Sequence, residues 1–194
     1  CQNVVLAMGA WTGHTSEWLD FPVPVKPLKG EVLHLSMAEK PIRVFIITAR
    51  HGPIIQRKDG LLLCGSMGGV SMSGSDVGSK HTFDPRDFTP WPFDLEPTEN
   101  GRITMLERVT TVMPSLANAQ LVSHLAGVRP LSADRMPLIG AVPGRRGAYL
   151  ATGHGTKGIH LAPITGKVIS QLIVNGTTDV PVPMDAFAPM RFTR

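Results

Sequence analysis

Apolar and polar positions along the chain change their period several times, and each change predicts an element. Residues 4–8 (Val4-Val5-Leu6-Ala7-Met8) form a continuous apolar run that ends at Gly9-Ala10-Trp11. Such a run predicts a buried strand turning into a loop or a helix. Phe21-Pro22-Val23-Pro24-Val25-Lys26-Pro27 is too rich in proline for an internal strand, because each proline removes a ladder donor. Val32-Leu33-His34-Leu35 then alternates as a strand, and residues 43–48, 53–57 and 61–66 predict three more, with the runs 44–47 and 61–64 read as buried. Asp59-Gly60 between the last two signals a hairpin, since both residues tolerate positive φ. Residues 67–98 are dominated by Gly, Ser, Pro and Asp and predict a long loop. Ile103, Leu106, Val109, Val112 and Met113 recur at helical spacing until Pro114 stops the run. Residues 121–126 and 148–152 predict short strands. Apolar positions 161, 164, 168, 169, 172 and 173 predict a helix closed by Asn175-Gly176, followed by a proline-punctuated tail to Arg194. The class is α+β, related to α/β: a mixed β-sheet in the middle and a strand-loop-helix unit near the end.

Composition narrows the function. Twenty glycines and seventeen prolines among 194 residues imply many turns and argue against a helical bundle. The net charge of +4 is scattered, with no dense basic patch or module signature, which excludes nucleic-acid binding and leaves attraction of an anionic small molecule. The two cysteines, Cys1 and Cys64, have no metal-ligand spacing and read as free thiols of a reducing, cytoplasmic compartment. His14, His51, His81 and His124 show no ligand-like pairing, so no metal site is expected. No run approaches the roughly 20 apolar residues of a transmembrane helix. The chain opens without Met inside an apolar run, which predicts a fragment or a processed or split subunit.

Gly153-His154-Gly155-Thr156-Lys157-Gly158 matches G-x-G-x-x-G between a predicted strand and a predicted helix. A pyrophosphate-binding first turn would need a second parallel strand afterwards, and the proline-rich tail argues against one. Two readings remain. The loop can present a helix N-terminus, with Lys157, to an anion and let a planar ligand lie close to the backbone. It can equally provide tight strand–helix packing, with His154 as a buried hydrogen-bonding histidine.

Several stretches in order resemble the D-amino-acid oxidase-like FAD-dependent oxidoreductase superfamily. Val4-Val5-Leu6-Ala7-Met8-Gly9-Ala10-Trp11 is similar to its strand-plus-GAW segment, and Pro27-Leu28-Lys29-Gly30-Glu31-Val32 to the entry into its substrate domain. Gly127-Val128-Arg129-Pro130, with Asp134, Pro137 and Ile139-Gly140, resembles the G-x-R-P-x-x-x-D-x-x-P-x-I-G motif. Residues 153–159 with Leu161-Ala162-Pro163 resemble the last flavin-contacting loop and helix. Glycine oxidases, D-amino-acid dehydrogenases and sarcosine oxidases are the relatives this implies. The family is about twice as long, and the resemblance places here its C-terminal portion only. It implies that residues 1–14 and 128–176 belong to an FAD/NAD(P)-binding type domain, 15–127 to a mixed-sheet substrate domain, and 177–194 to a tail.

The resemblance implies oxidation of an amino acid or amine to an imine by hydride transfer to a non-covalent FAD in the complete enzyme. No cysteine stands where sarcosine oxidases attach flavin. Flavin contacts are implied for Gly9, Ala10, Trp11, Gly153, His154, Gly155, Thr156, Lys157, Gly158 and Ile159. Arg129 can hold a substrate α-carboxylate with its planar fork or serve as a structural partner of Asp134. Lys157 can supply a positive field at the flavin or bind the carboxylate itself, and Trp11 can line the flavin or be a core aromatic. Gly155 and Thr156-Lys157 stand where glycine oxidases carry a bulky aromatic and an arginine, which leans toward the dehydrogenase and sarcosine-oxidase side. The implied partners are a small-molecule substrate and the missing FAD-anchoring half or a partner subunit, with self-association of the isolated chain. A silent binding or oligomerisation module and one subunit of a split flavoenzyme are the alternatives. Peripheral attachment to the inner face of a membrane is left open.

Overall fold

In the computed structural model, residues 1–38, 42–48, 52–65, 82–87 and 94–193 are described. Among them no helix is long and apolar enough to cross a membrane. The chain divides into two compact units: Cys1–Pro27, Thr82–Trp91 and Arg129–Arg194 form the first, Leu28–His81 and Pro92–Val128 the second. The divisions fall inside two long strands, β2 (Val25–Ser36) and β6 (Gln120–Ser132).

The first unit is built on a three-stranded sheet. Strand β1 (Val4–Leu6) runs parallel to β8 (Ala148–Thr152), which pairs antiparallel with β7 (Leu138–Ala141), giving the order β1-β8-β7. Alternation along β8 sends Ala148 and Leu150 to one face, where they join Leu138, Val142 and the Leu19, Phe21, Val23, Val25 segment. Tyr149 and Ala151 go to the other, beneath α3 (Gly158–Asn175) and its Val168 and Ile169. This two-sided burial explains the continuous apolar character of residues 148–151. Helix α3 stops at Gly176, which takes the left-handed conformation (φ 73°) and donates its amide to Leu172 O at 3.1 Å, as Asn175-Gly176 predicts. The short helix α1 (Thr15–Leu19) follows a 3-10 helix at Gly9–His14.

The second unit carries the sheet order β3-β4-β5-β2-β6, with β3 (Ile46–Thr48), β4 (Gly52–Gln56) and β5 (Leu62–Gly65) antiparallel neighbours. Leu33 and Leu35 of β2 sit opposite Cys64 and Leu62, and Ile54 opposite Cys64. That stripe forms a core with Met105 and Val109 of α2 (Glu99–Val112). The hairpin predicted at Asp59-Gly60 is present: Arg57 N donates to Leu61 O at 2.8 Å and Gly60 has φ 90°. Thr98 caps α2 by accepting from Gly101 N at 3.1 Å. Thr98 also donates through its amide and its hydroxyl to the buried carboxylate of Glu31, which His124 Nε2 joins at 2.8 Å. The pairing makes His124 a hydrogen-bonding residue of the sheet.

Three expectations change. Val44 and Phe45, which precede β3, and Ile47 within it are exposed (Ile47 by 65%), so the run 44–47 is not buried. Strand β2 starts two residues before Pro27, with Val25 packed into the first unit's core, so tertiary packing carries the strand through a proline that local preference would exclude. Strand β7 and most of β6 beyond residue 126 have no counterpart in the hydrophobic pattern. Most of the predicted 67–98 loop, with His51 and His81, lies outside the described residues.

Candidate functional site

Because β1 and β8 are adjacent and parallel, their carboxyl ends open on the same edge of the sheet. That edge is where open α/β sheets bind ligands. Gly9, Ala10 and Trp11 follow β1, and residues 153–159 follow β8. A buried knot of hydroxyl groups ties the two: Thr12 Oγ1 donates to Gly9 O at 2.8 Å, lies 2.9 Å from Thr152 Oγ1, and Thr152 Oγ1 is 3.2 Å from Gly9 O. Both threonines are fully buried.

The loop after β8 is shaped by close packing. Gly153 has φ 74°, and a Cβ there would sit 3.1 Å from both Leu138 Cδ1 and Ser132 Cβ, so only glycine fits without displacement. His154 pairs with Leu131 in an antiparallel bridge, and its Nε2 lies 3.0 Å from Thr165 Oγ1. Burial lowers the His154 pKa below the usual histidine range, which keeps the ring neutral near pH 7. His154 is half-buried and hydrogen-bonded, so this part of the loop is held from within by its neighbours.

Beyond His154 the loop opens. Gly155–Lys157 form one 3-10 turn, and a Cβ on Gly155 or on Gly9 would meet no atom within 4 Å. Helix α3 then begins with no side-chain cap among the described residues and no acidic residue in its first turn. Its first amides thus carry their partial positive charge without a side-chain cap, next to the exposed Thr156 and Lys157. Ile159 is 91% exposed, and Met8 and Trp11 (47%) are exposed after β1. Apolar side chains left in water at an edge that also offers amides and a cation describe a seat for a planar, partly anionic ligand.

Arg129 is half-buried on β6, two residues before Leu131 and on the same strand face, about 7 Å along the strand from the bridge to His154. Asp134 takes Arg191 as its bidentate partner, with Nε to Oδ2 at 2.7 Å and Nη2 to Oδ1 at 3.0 Å. The structure thus brings together Gly9, Ala10, Trp11 and residues 153–159, with Arg129 joined through its own strand. Thr12, Thr152, Ser132 and Arg191 support the site without a motif to announce them. Their one sequence signal is position, since Thr12 and Thr152 directly flank the two glycine-bearing turns.

A family model described as FAD dependent oxidoreductase (DAO) matches residues 1–172. The chain belongs to this family. Among its relatives, glycine oxidase of Pseudomonas aeruginosa is 33% identical over 172 residues, covering 88% of this chain and 41% of the relative. Solved structures of glycine oxidase from Geobacillus kaustophilus (TM-score 0.78, 24% identity, 97% of this chain and 45% of the other) and of L-proline dehydrogenase from P. horikoshii (TM-score 0.79, 23% identity, 99% and 47%) share the fold. The chain spans about 41% of the length of the glycine oxidase relative. The residues present fit a flavin ring: the space at Gly9 and Gly155 admits a flat group, Met8, Trp11 and Ile159 are apolar, and Lys157 with the α3 amides suits a negative edge.

Proposed function

We propose that this chain is the C-terminal part of an FAD-dependent enzyme that oxidises an amino acid or amine to the corresponding imine. The observation that carries the reading is the joined pair of loops at the carboxyl ends of β1 and β8, tied through Thr12 and Thr152. Bound flavin supplies the two-electron acceptor for the hydride leaving the substrate α-carbon. In this assignment Gly9, Ala10 and Trp11 and residues 153–159 hold the ring. Lys157 and the first amides of α3 place positive potential beside the edge that becomes negative on reduction. Arg129 binds the substrate carboxylate through its fork and fixes the α-carbon toward the ring. The proton lost from the amine goes to solvent, so the assignment requires no protein base.

Strand β1 is the apolar edge of its sheet, with Val4 and Val5 exposed, a surface that further sheet would cover. On this reading the 194 residues alone take up no FAD, because the pyrophosphate anchor lies in the part of the relatives that they do not span. The test uses the whole reading frame, loaded with FAD and mixed anaerobically with glycine, sarcosine and D-amino acids. Bleaching of the flavin band by at least one of them, abolished in Arg129→Ala, is the expected result. A loaded protein that no amine or amino acid reduces would overturn the reading.

A further inference from the structure

The clasp between Arg191 and Asp134 has a mechanical relation to the glycine loop. We propose that Arg191 and Asp134 are positioning residues that set the geometry of residues 153–158 through the turn at 132–136. The functional meaning of that geometry rests on the flavin assignment above; the clasp itself does not.

The turn is an unfavourable one. Arg135 takes φ 67°, a left-handed conformation that a non-glycine side chain disfavours. Two contacts within the turn oppose that preference: Arg135 N donates to Ser132 O at 3.1 Å and Met136 N to Asp134 Oδ1 at 3.0 Å. Arg191 closes the turn from outside. Besides its two bonds to Asp134, it donates from Nη2 to Met136 O at 2.8 Å. Its Nη1 donates to Phe187 O and Ala188 O at 2.9 and 3.2 Å, and its guanidinium lies 4.3 Å from the Phe192 ring centroid. A planar fork with five donors is what this set of acceptors requires, and lysine would satisfy only part of it.

The clasped turn is in contact with the loop. Ser132 is fully buried, donates from Oγ to Met136 O at 2.7 Å and reaches Gly153 O at 3.5 Å. Gly153 is wedged between Ser132 and Leu138. The same tail also fixes β7: Ile139 N donates to Phe187 O at 2.9 Å, and Pro189 packs against Gly140. Residues 184–192, which lie beyond the residues matched by the family model, therefore brace both neighbours of Gly153.

The experiment is amide hydrogen exchange on the 194-residue chain without flavin, comparing Arg191→Ala, Arg191→Lys and Asp134→Asn with the parent. In Arg191→Ala we expect exchange at residues 153–158 to quicken by about tenfold, the order set by losing a charge-assisted bond, while β8 amides keep their rates. Arg191→Lys should restore part of the protection, and it also serves if the alanine variant does not fold. Fast exchange confined to residues 184–193 would overturn the proposal, since Arg191 would then only fasten the tail. Uniform quickening through β7 and β8 would overturn it as well, by making the effect one of global stability. The readout contains no flavin, so its failure is distinct from failure of the flavin assignment.

Discussion

The hydroxyl knot under the candidate site makes a quantitative claim about stability. Thr12 has one hydroxyl proton and gives it to Gly9 O at 2.8 Å, so Thr152 supplies the proton between the two hydroxyls. Thr12→Val removes both of those bonds while keeping the side-chain shape. Thr152 then turns its proton to Gly9 O, already 3.2 Å away, and the carbonyl stays satisfied. Thr152→Val leaves the Thr12 bond to Gly9 O untouched. Each single variant therefore loses about one net hydrogen bond, roughly 1 kcal/mol. The double variant removes both hydroxyl bonds but leaves Gly9 O with the backbone donor of its 3-10 turn, so no acceptor is stranded. Urea unfolding of the four proteins should thus give losses of about 1, 1 and 2 kcal/mol, close to additive. Loss of flavin binding by the full reading frame should follow the double variant more than either single one. A Thr12→Val loss well above that of Thr152→Val, or single losses near zero, would refute the proton assignment and with it the claim that the knot joins the two turns.

Other outcomes follow from single groups. His154 is neutral when folded and ordinary when unfolded, so the unfolded chain binds the extra proton as pH falls below about 6.5; stability is unaffected above that value and declines below it, and His154→Asn should flatten this slope in pH-dependent thermal melts. Burial pushes the Cys64 thiol up to about 12, so a thiol reagent at about pH 8 should label exposed Cys1 alone in the native chain and both after unfolding. Gly101→Ala would place a Cβ 2.2 Å from Glu31 Oε2 and 2.7 Å from Thr98 Oγ1, disturbing the α2 cap and the buried carboxylate together; a loss of about 1–3 kcal/mol in chemical denaturation is expected. The exposed apolar β1 edge should make the isolated chain self-associate, and a strict monomer at high concentration in size-exclusion chromatography would count against that.

The elements that were legible in sequence are those whose signal is local. Helix α2 carries its period in Leu106, Val109 and Val112, although Ile103 of the same series is exposed, and its stop in Pro114; the β4–β5 hairpin carries Asp59-Gly60; α3 carries its cap in Gly176. Strand β7 is only Leu138–Ala141, includes a glycine, and is held in place by partners at residues 149–152 and by Phe187 O, so no pattern of its own declares it. The tail misleads for a related reason. Its prolines suggest a passive end, yet Val180 is buried under α3 with Met184 and Phe187 beside it, and Phe192 joins the opposite core. Burial of widely spaced apolar residues between 3-10 turns has no period to detect.

The site divides along the same line. Glycine positions announce themselves, because positive φ and close approach restrict the residue choice at Gly9, Gly153 and Gly155. What ties the two glycine turns together is a pair of threonines 140 positions apart, and what closes the 132–136 turn is an arginine 57 positions from the aspartate it clasps. Threonine and arginine are common, and a single such residue in a single sequence carries no mark of its partner. Asp134 shows the consequence. Sequence leaves Arg129 or a turn role as its alternatives, whereas in the fold Arg191 takes the carboxylate, and the guanidinium of Arg129 is not what holds it. A residue's chemistry is readable from the chain, but its partner is set by topology, and in this unit the partners come from opposite ends of the sequence.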